Sequence, residues 1–194
     1  MSETTIVAVD LAYKGYNDLG IAILSVAGNN IDVEVVKPQH IDLTGPPSAS
    51  DLAIRLKQLC NERESRVLIL DGPQAWKAAG NGLEHCRLCE RLLNTPAKTG
   101  LPYYVKPRSY EPFVRFSIEV FSELQKRDIR LLQGENDYPA DKEVLALESF
   151  PLAAWKTLKI NPLPAKSRSN AHDITDRLRI LKCLYPPHIP HMLI

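Results

Sequence analysis

The chain has 194 residues, and its 24 lysines and arginines nearly balance 23 aspartates and glutamates, which leaves a formal net charge of +1. This length predicts one sizeable domain, and the balanced charge gives no sign of a basic surface that coats nucleic acid, although a local basic groove is compatible with it. No apolar stretch is long enough to span a membrane and no cleavable signal precedes the first predicted strand, so we expect a cytoplasmic protein with no membrane partner.

The first third of the chain predicts three antiparallel strands followed by a helix. Apolar runs at residues 5–10, 19–27 and 31–37 are typical of strands, and "AGNN" at residues 27–30 is typical of a hairpin turn. Residues 48–64 begin with the N-cap type residue Ser48 and repeat leucine at helical spacing, which predicts a helix.

The remainder predicts parallel strands that alternate with helices. The short apolar run at residues 66–73 follows a helix, as a buried parallel strand does. Further elements are predicted in chain order: helices at 83–93 and 110–126, a strand at 142–151, a short helix at 150–158 and a helix at 170–186. The predicted fold class is therefore α/β, with a mixed sheet of three antiparallel strands and then parallel strands, flanked by helices.

Asp10, Asp71 and Glu148 each close an apolar run that reads as a strand, and a turn or helix start follows each of them. Open α/β sheets place ligand sites beyond the carboxyl ends of their strands, so three negative charges would converge there if the strands are neighbours. Such a cluster needs cations, and ligation by oxygen alone suits Mg²⁺ or Mn²⁺. Taken singly, each acid also fits a structural role as a turn former or a helix cap.

Four segments together resemble a known family: "IVAVDLAYKGYNDLGIAIL", "VLILDGPQAWK", "CRLCERLL" and "LALESFPLAAWKTL". The chain is similar, from about residue 6 to about residue 185, to the predicted RNase H-like nucleases described as domain of unknown function 429. The resemblance implies one RNase H-like domain over residues 1–194 that hydrolyses the phosphodiester bonds of nucleic acid, with DNA and RNA both open. It also implies two Mg²⁺ or Mn²⁺ ions, of which Asp10 would bridge both while Asp71 and Glu148 would each hold one.

The chain departs from the family at its C-terminal helix, which generally supplies a further acid and is absent or displaced here. Asp173 and Asp176 are the late acidic candidates for this fourth ligand, and the alternative is a residue beyond position 194. Asp173 also has a simpler explanation, because a negative charge near a helix start is favoured by the helix dipole.

Basic residues predict contacts to a phosphate backbone. Arg87 and Arg91 lie four residues apart on a predicted helix, a spacing that suits bidentate phosphate binding, and the resemblance implies that both of them and Lys166 face the substrate. Pairing with nearby acids is the ordinary alternative. Trp76, Tyr103 and Tyr104 are candidates for base stacking.

Two other interpretations stay open. A catalytically silent scaffold of the same fold would bind nucleic acid or protein, and the neutral charge and the missing fourth acid favour it. An ATP-binding protein of the actin and sugar-kinase type also begins with an Asp after its first strand, but "DLAYKG" lacks the tight Gly and Ser/Thr turn that holds phosphate. The "CRLC" cysteines lack a second pair for zinc, so we expect a packed or half-buried pair on one helix face.

Overall fold

A computed structural model describes residues 4–28, 30–134, 136–159 and 175 of the chain. Lys166, Asp173 and Asp176 lie outside these ranges, as does the helix predicted for residues 170–186 apart from Thr175. The roles predicted for these residues therefore stay predictions.

The described residues form eight strands and four α-helices. The strands are β1 (Thr4–Asp10), β2 (Gly20–Ala27), β3 (Asn30–Val36), β4 (Val67–Asp71), β5 (Lys98–Thr99), β6 (Val105–Lys106), β7 (Ile129–Leu131) and β8 (Val144–Ser149). The helices are α1 (Ala49–Glu62), α2 (Leu88–Leu92), α3 (Glu111–Gln125) and α4 (Pro151–Thr157).

Six of the strands form one mixed sheet in the order β3-β2-β1-β4-β8-β7. Strands β3, β2 and β1 pair antiparallel, whereas β4, β8 and β7 continue the sheet in parallel with β1. This arrangement confirms the predicted fold class. The short strands β5 and β6 form a separate antiparallel hairpin, which the sequence analysis did not predict, and β7 was likewise not predicted.

Helices α1 and α3 pack on one face of the sheet and enclose the core. Alternate strand residues such as Val7, Val9 and Leu70 are fully buried there, together with Leu56 of α1 and Phe121 of α3. Because successive strand residues point to opposite faces, Ala8, Asp10, Ile69 and Asp71 lie on the other face, where none of the four is buried. The two faces of the sheet therefore differ: one is core, and the other is partly open.

Two predicted elements differ from the structure near "CRLC". The helix predicted for residues 83–93 is shorter, because α2 begins only at Leu88. The preceding loop is fixed by the Asn81 side chain, which donates to the Cys86 carbonyl oxygen and accepts from the Leu83 amide. The shared helix face predicted for Cys86 and Cys89 is therefore wrong, since Cys86 precedes the helix.

The helices of the described ranges include none that combines the length and apolar character needed to cross a membrane.

Gly72 follows Asp71 at a point where the backbone lies against helix α3. Its φ is +156°, and a Cβ atom there would lie 2.5 Å from Ser117 Oγ, which donates a hydrogen bond to the Pro73 carbonyl oxygen. Ser117 is fully buried, so the hydroxyl has no space into which it can withdraw. The end of β4 therefore requires glycine at position 72.

We predict that Gly72→Ala lowers the free energy of unfolding by about 1–3 kcal/mol, because overpacking and backbone strain add at this site. Urea denaturation measures the change. Gly15→Ala is the matched control, since its Cβ would meet nothing within 4 Å, and we expect its effect to stay within about 0.5 kcal/mol. Equal effects of the two variants would contradict the close approach at Gly72.

Candidate acidic site

Asp10 and Asp71 lie level with each other at the carboxyl ends of neighbouring parallel strands. The strand register pairs Asp10 of β1 with Asp71 of β4, and Asp71 in turn with Ser149 of β8. Paired residues of adjacent strands point to the same face, and adjacent strands lie about 4.8 Å apart. The register therefore brings two carboxylates and one hydroxyl together in a row on the partly open face.

The pKa of the Asp71 carboxyl is shifted in this arrangement. Burial, together with the negative charges of Asp10 and Glu148, raises its pKa from the ordinary value of 3.8 to about 6. The three acids predicted from the strand ends are thus close enough to affect one another. Such a carboxylate is destabilised unless a proton or a cation compensates its charge.

Glu148 reaches the same end of the sheet from the opposite face. Its register partner on β4 is Leu70, one residue before Asp71, so by strand alternation it lies on the face that α1 and α3 cover. There its two carboxylate oxygens accept hydrogen bonds from both terminal nitrogens of Arg87, each at 2.6 Å, and one also accepts from the Gln74 amide at 2.9 Å. Glu148 is therefore held by a bidentate ion pair and a backbone amide.

Arg87 connects Glu148 to a second, more deeply buried carboxylate. Its Nε donates to Glu90 Oε1 at 3.0 Å, and the Glu90 side chain is only 3% exposed. Glu90 Oε2 accepts from the backbone amides of Arg87 at 3.1 Å and of Thr99 at 2.7 Å. Burial alone would lower the pKa of Arg87, but hydrogen bonds and charge from Glu148, with the charge of Glu90, outweigh it and raise the pKa above its usual range.

The loop between β4 and α2 positions Arg87. The ammonium group of the buried Lys77 donates to the carbonyl oxygens of Ala78 and Ala79 and to Asn81 Oδ1. Asn81 bonds in turn to the Cys86 carbonyl next to Arg87. These contacts give a buried lysine its hydrogen bonds and shape the loop from within.

The remaining predicted substrate contacts are not gathered at the acids. Arg91 lies on α2 and is exposed, whereas Arg87 precedes the helix and has its guanidinium bound by two carboxylates. The two arginines therefore do not form the paired clamp that their spacing suggests. Cys89 is exposed at the residue level, and partial desolvation of its thiol, the largest cause, raises its pKa.

Two cavities meet at Asp71 and Ser149. An open groove of about 490 Å³ on the second sheet face is lined by Asp10, Asp71 and Ser149 among others. A smaller pocket of about 200 Å³, which we call the narrow pocket, is also lined by Asp71 and Ser149 and extends past Arg87 and Glu148. Asp71 and Ser149 thus line both the open groove and the narrow pocket.

The oxygen donors fit one divalent ion better than two. Within the described ranges, no three His, Cys, Asp or Glu side chains are grouped so that they could hold a metal ion. Asp10 and Asp71 still offer two carboxylates, which is what Mg²⁺ takes from a protein when water and substrate phosphate complete its shell. Glu148 would serve as a further ligand only if Arg87 released it.

Two residues of this region, Ser149 and Thr99, were missed by sequence reasoning, whereas the alternative that Arg87 pairs with a nearby acid is confirmed by its bond to Glu90. The strand-end pattern points to Glu148, but the residue of β8 that pairs with Asp71 is the next one, Ser149. Sequence patterns do not give this register. For Glu90 the capping position three residues after Arg87 is an available signal.

We predict that Arg87→Met lowers the free energy of unfolding by about 3 kcal/mol, because it leaves two poorly solvated carboxylates without their shared cation. Denaturant titration measures the loss. Arg91→Met is the matched control on the adjacent helix, and we expect a change within about 0.5 kcal/mol. A small effect at Arg87 would contradict the ion-pair network.

We predict that Asp71→Asn stabilises the protein at about pH 7.5 but not at about pH 4. Between its ordinary value of 3.8 and its folded value of about 6, the native carboxyl binds more protons than the unfolded chain does. The Asp71 carboxyl therefore lowers the free energy of unfolding progressively as pH rises through this window, and the full reduction is reached above it.

Thermal unfolding across this pH range, fitted for the free energy of unfolding, measures the effect. Because solvent screens part of the repulsion at this partly exposed residue, we expect Asp71→Asn to raise the free energy of unfolding by only about 1–2 kcal/mol at about pH 7.5. Asp32→Asn, at an exposed position on β3, controls for the amide substitution itself. An Asp71→Asn variant that is destabilised equally at both pH values would argue against charge repulsion.

No protein-family model, no curated protein and no solved structure matches the chain. The family resemblance therefore stays a prediction that depends on the quoted motifs, and function is inferred from the geometry of the acidic site.

Proposed function

We propose that the protein is a metal-dependent phosphodiesterase that acts on nucleic acid, with Asp10 and Asp71 as its metal-binding pair. One observation carries the proposal: the carboxylates of Asp10 and Asp71 lie level with each other at the ends of adjacent parallel strands. Burial is the largest cause of the raised pKa of Asp71, and the negative charge of Asp10 is the second. Two negative charges on adjacent strands repel each other, and a divalent cation bound by both carboxylates would compensate this repulsion.

The bound cation would supply charge neutralisation and an activated water at neutral pH. Asp10 and Asp71 would hold it, and the neighbouring Ser149 hydroxyl would be available to a phosphate oxygen or to water. Glu148 has a different role from the one the family resemblance implies. Its bidentate bond to Arg87 holds a guanidinium in the lining of the narrow pocket, which Asp71 also lines.

A cluster of two aromatic rings and an arginine supports nucleic acid as the substrate. The Trp76 and Tyr103 rings lie 5.9 Å apart between centroids, and the Arg115 guanidinium lies 5.4 Å from the Tyr103 centroid. Tyr103 is 70% exposed, and Trp76 follows Gln74, whose amide bonds to Glu148. An exposed ring beside an arginine, with a half-buried second ring next to it, is typical of surfaces on which unpaired bases stack.

The test of metal binding is the thermal shift on Mn²⁺ titration. At a hundredfold excess over the dissociation constant, linkage gives about 2.7 kcal/mol, which is about 5–10 °C for a chain of this size. We expect Asp10→Asn and Asp71→Asn to remove the shift and Asp32→Asn to retain it. A saturable shift that survives in both variants would place the metal elsewhere.

The test of activity is cleavage of a labelled single-stranded oligonucleotide in the presence of Mg²⁺ or Mn²⁺. We expect cleavage by the wild-type protein and none by Asp10→Asn, Asp71→Asn or the wild type in EDTA. Circular dichroism of each variant shows that the fold is retained. Cleavage that persists in both variants would exclude the acidic pair from the reaction.

The second candidate is a catalytically silent nucleic-acid-binding domain. The observation that favours it is the engagement of Glu148 by Arg87, which leaves two carboxylates rather than three for metal in the described part of the chain. Oligonucleotide binding without a Mn²⁺ thermal shift and without cleavage is the result that would select it.

A further inference from the structure

The turn between β5 and β6 carries an exposed tyrosine at a position where the backbone favours glycine. Leu101, Pro102, Tyr103 and Tyr104 form this turn, and the Tyr104 amide donates to the Leu101 carbonyl oxygen at 2.8 Å. Proline in the second place and a φ of +69° at Tyr103 in the third are the signature of a type II turn. The third place usually holds glycine or asparagine, because a left-handed backbone strains larger residues. The sequence therefore retains tyrosine against the local backbone preference.

The Tyr103 ring contributes little to the core in return for this strain. Tyr103 is 70% exposed, so most of its surface stays in contact with solvent although Trp76 and Arg115 lie beside its ring. Burial of apolar surface is the main stabilising gain that an aromatic side chain brings to a fold, and this ring largely forgoes it. An exposed ring at a strained backbone position is better explained by binding than by folding.

Tyr104 repeats the arrangement on the next residue. Its ring centroid lies 5.1 Å from that of His85 and 5.4 Å from Lys106 Nζ, and the residue is 43% exposed. A Cβ atom at Gly100 would lie 2.8 Å from Tyr104 Cδ1 and 2.9 Å from the Tyr104 carbonyl oxygen. The Tyr104 ring is therefore packed against the hairpin backbone. We call the two tyrosines and their neighbours the tyrosine platform: Trp76, His85, Tyr103, Tyr104, Lys106 and Arg115.

The tyrosine platform is joined to the region of the acidic site through the loop after β4. The Lys77 amide donates to the Gly100 carbonyl oxygen at 3.0 Å, which ties this loop to the hairpin. Trp76 follows two residues after Gln74, whose amide donates to Glu148 at 2.9 Å. Two residues span at most about 7 Å. The platform therefore begins close to the ion pair at the end of β8.

Cations outnumber acids around the exposed rings. Lys106 and Arg115 lie beside the two tyrosines, and the side chain of Arg108 is 93% exposed. Glu111 lies 3.7 Å and 3.9 Å from the two arginines, and Glu84 pairs with the histidine of the platform. Exposed pairs of this kind hold their partners weakly. Rings flanked by available cations favour a ligand that combines flat ring systems with negative charge.

We propose that the tyrosine platform binds two neighbouring unpaired bases of single-stranded nucleic acid, one on Tyr103 and the other on Tyr104. That the bound strand is also the strand cleaved at the acidic site rests on the proposed function. Every base has a π-face, so the platform would hold a strand without reading its sequence. Bases in a duplex stack on each other and are not available to the tyrosines, so the ligand class is single-stranded.

The binding test uses labelled octathymidylate and octauridylate in EDTA, which compare DNA with RNA and exclude metal effects. Fluorescence anisotropy measures binding to the full chain. The chain has two tryptophans, so Trp155→Phe leaves Trp76 as the fluorescent reporter within the platform. We expect saturable binding, quenching of Trp76, and an affinity that falls with salt by a logarithmic slope of about 0.7 for each phosphate contacted.

Variants of the platform make the test specific. Tyr103→Asn and Tyr104→Leu should each weaken binding by about fivefold or more, the lower end of the effect of one stacked base. Asparagine accepts a left-handed backbone, so Tyr103→Asn should melt no lower than the wild type. Arg115→Gln should weaken binding by about two- to fivefold and reduce the salt slope. Tyr138→Asn is the matched control, because Tyr138 is 75% exposed and lies outside the platform, and we expect unchanged binding.

The absence of oligonucleotide binding, or wild-type affinity in Tyr103→Asn and Arg115→Gln, would overturn the platform. An effect of Tyr103→Asn without one of Tyr104→Leu would overturn the binding of two bases. Aromatic surfaces also bind extended proline-rich peptides, so binding of a decaproline peptide in place of the oligonucleotides would likewise contradict the proposal. The proposed function fails differently: oligonucleotide binding that depends on the platform, without metal-dependent cleavage, would remove the phosphodiesterase and leave the platform.

Discussion

The hydrogen bonds of one guanidinium hold together the region around the acidic site. Arg87 bonds to Glu148 of β8 and to Glu90 of α2, and Glu90 extends the network to Thr99 of the β5–β6 hairpin. The side chains of Arg87, Glu90 and Glu148 are 12%, 3% and 22% exposed, so each charge depends on its partners for solvation. This network links the hairpin and α2 to the end of the sheet, and all four of its residues line the narrow pocket.

A one-residue offset in strand register separates the acids into two roles. Side chains alternate between faces, so Asp10 and Asp71 share one face and Glu148, level with Leu70, lies on the other. On the open face a carboxylate is available to solutes, while on the covered face it requires an internal cation, which Arg87 provides. The three acids look equivalent in the sequence because each one ends a strand. In the structure, Asp10 and Asp71 lie together on the partly open face, whereas Glu148 forms an ion pair with Arg87.

The sequence predicts those parts of the molecule that follow from local periodicity. Helices α1 and α3 and the strands with alternating or continuous apolar runs are recognisable because their patterns extend over several residues. The start of α2 depends instead on Asn81 and Glu90, whose side chains bond to backbone several residues away. The two-residue strands β5 and β6 have no period to detect, and the register that places Ser149 beside Asp71 depends on pairing between distant segments.

The position of Asp71 links the stability of the fold to its proposed chemistry. The residue lines both the groove and the narrow pocket, and it is followed by Gly72, whose backbone approaches Ser117 too closely for any side chain. Asp71 is itself partly buried, and burial is the largest cause of its raised pKa. A carboxylate in this setting gains more from a cation than one in water does, since its charge is poorly solvated when alone. The feature that makes Asp71 unfavourable for folding is thus the feature that would make the pair with Asp10 effective at binding a metal ion.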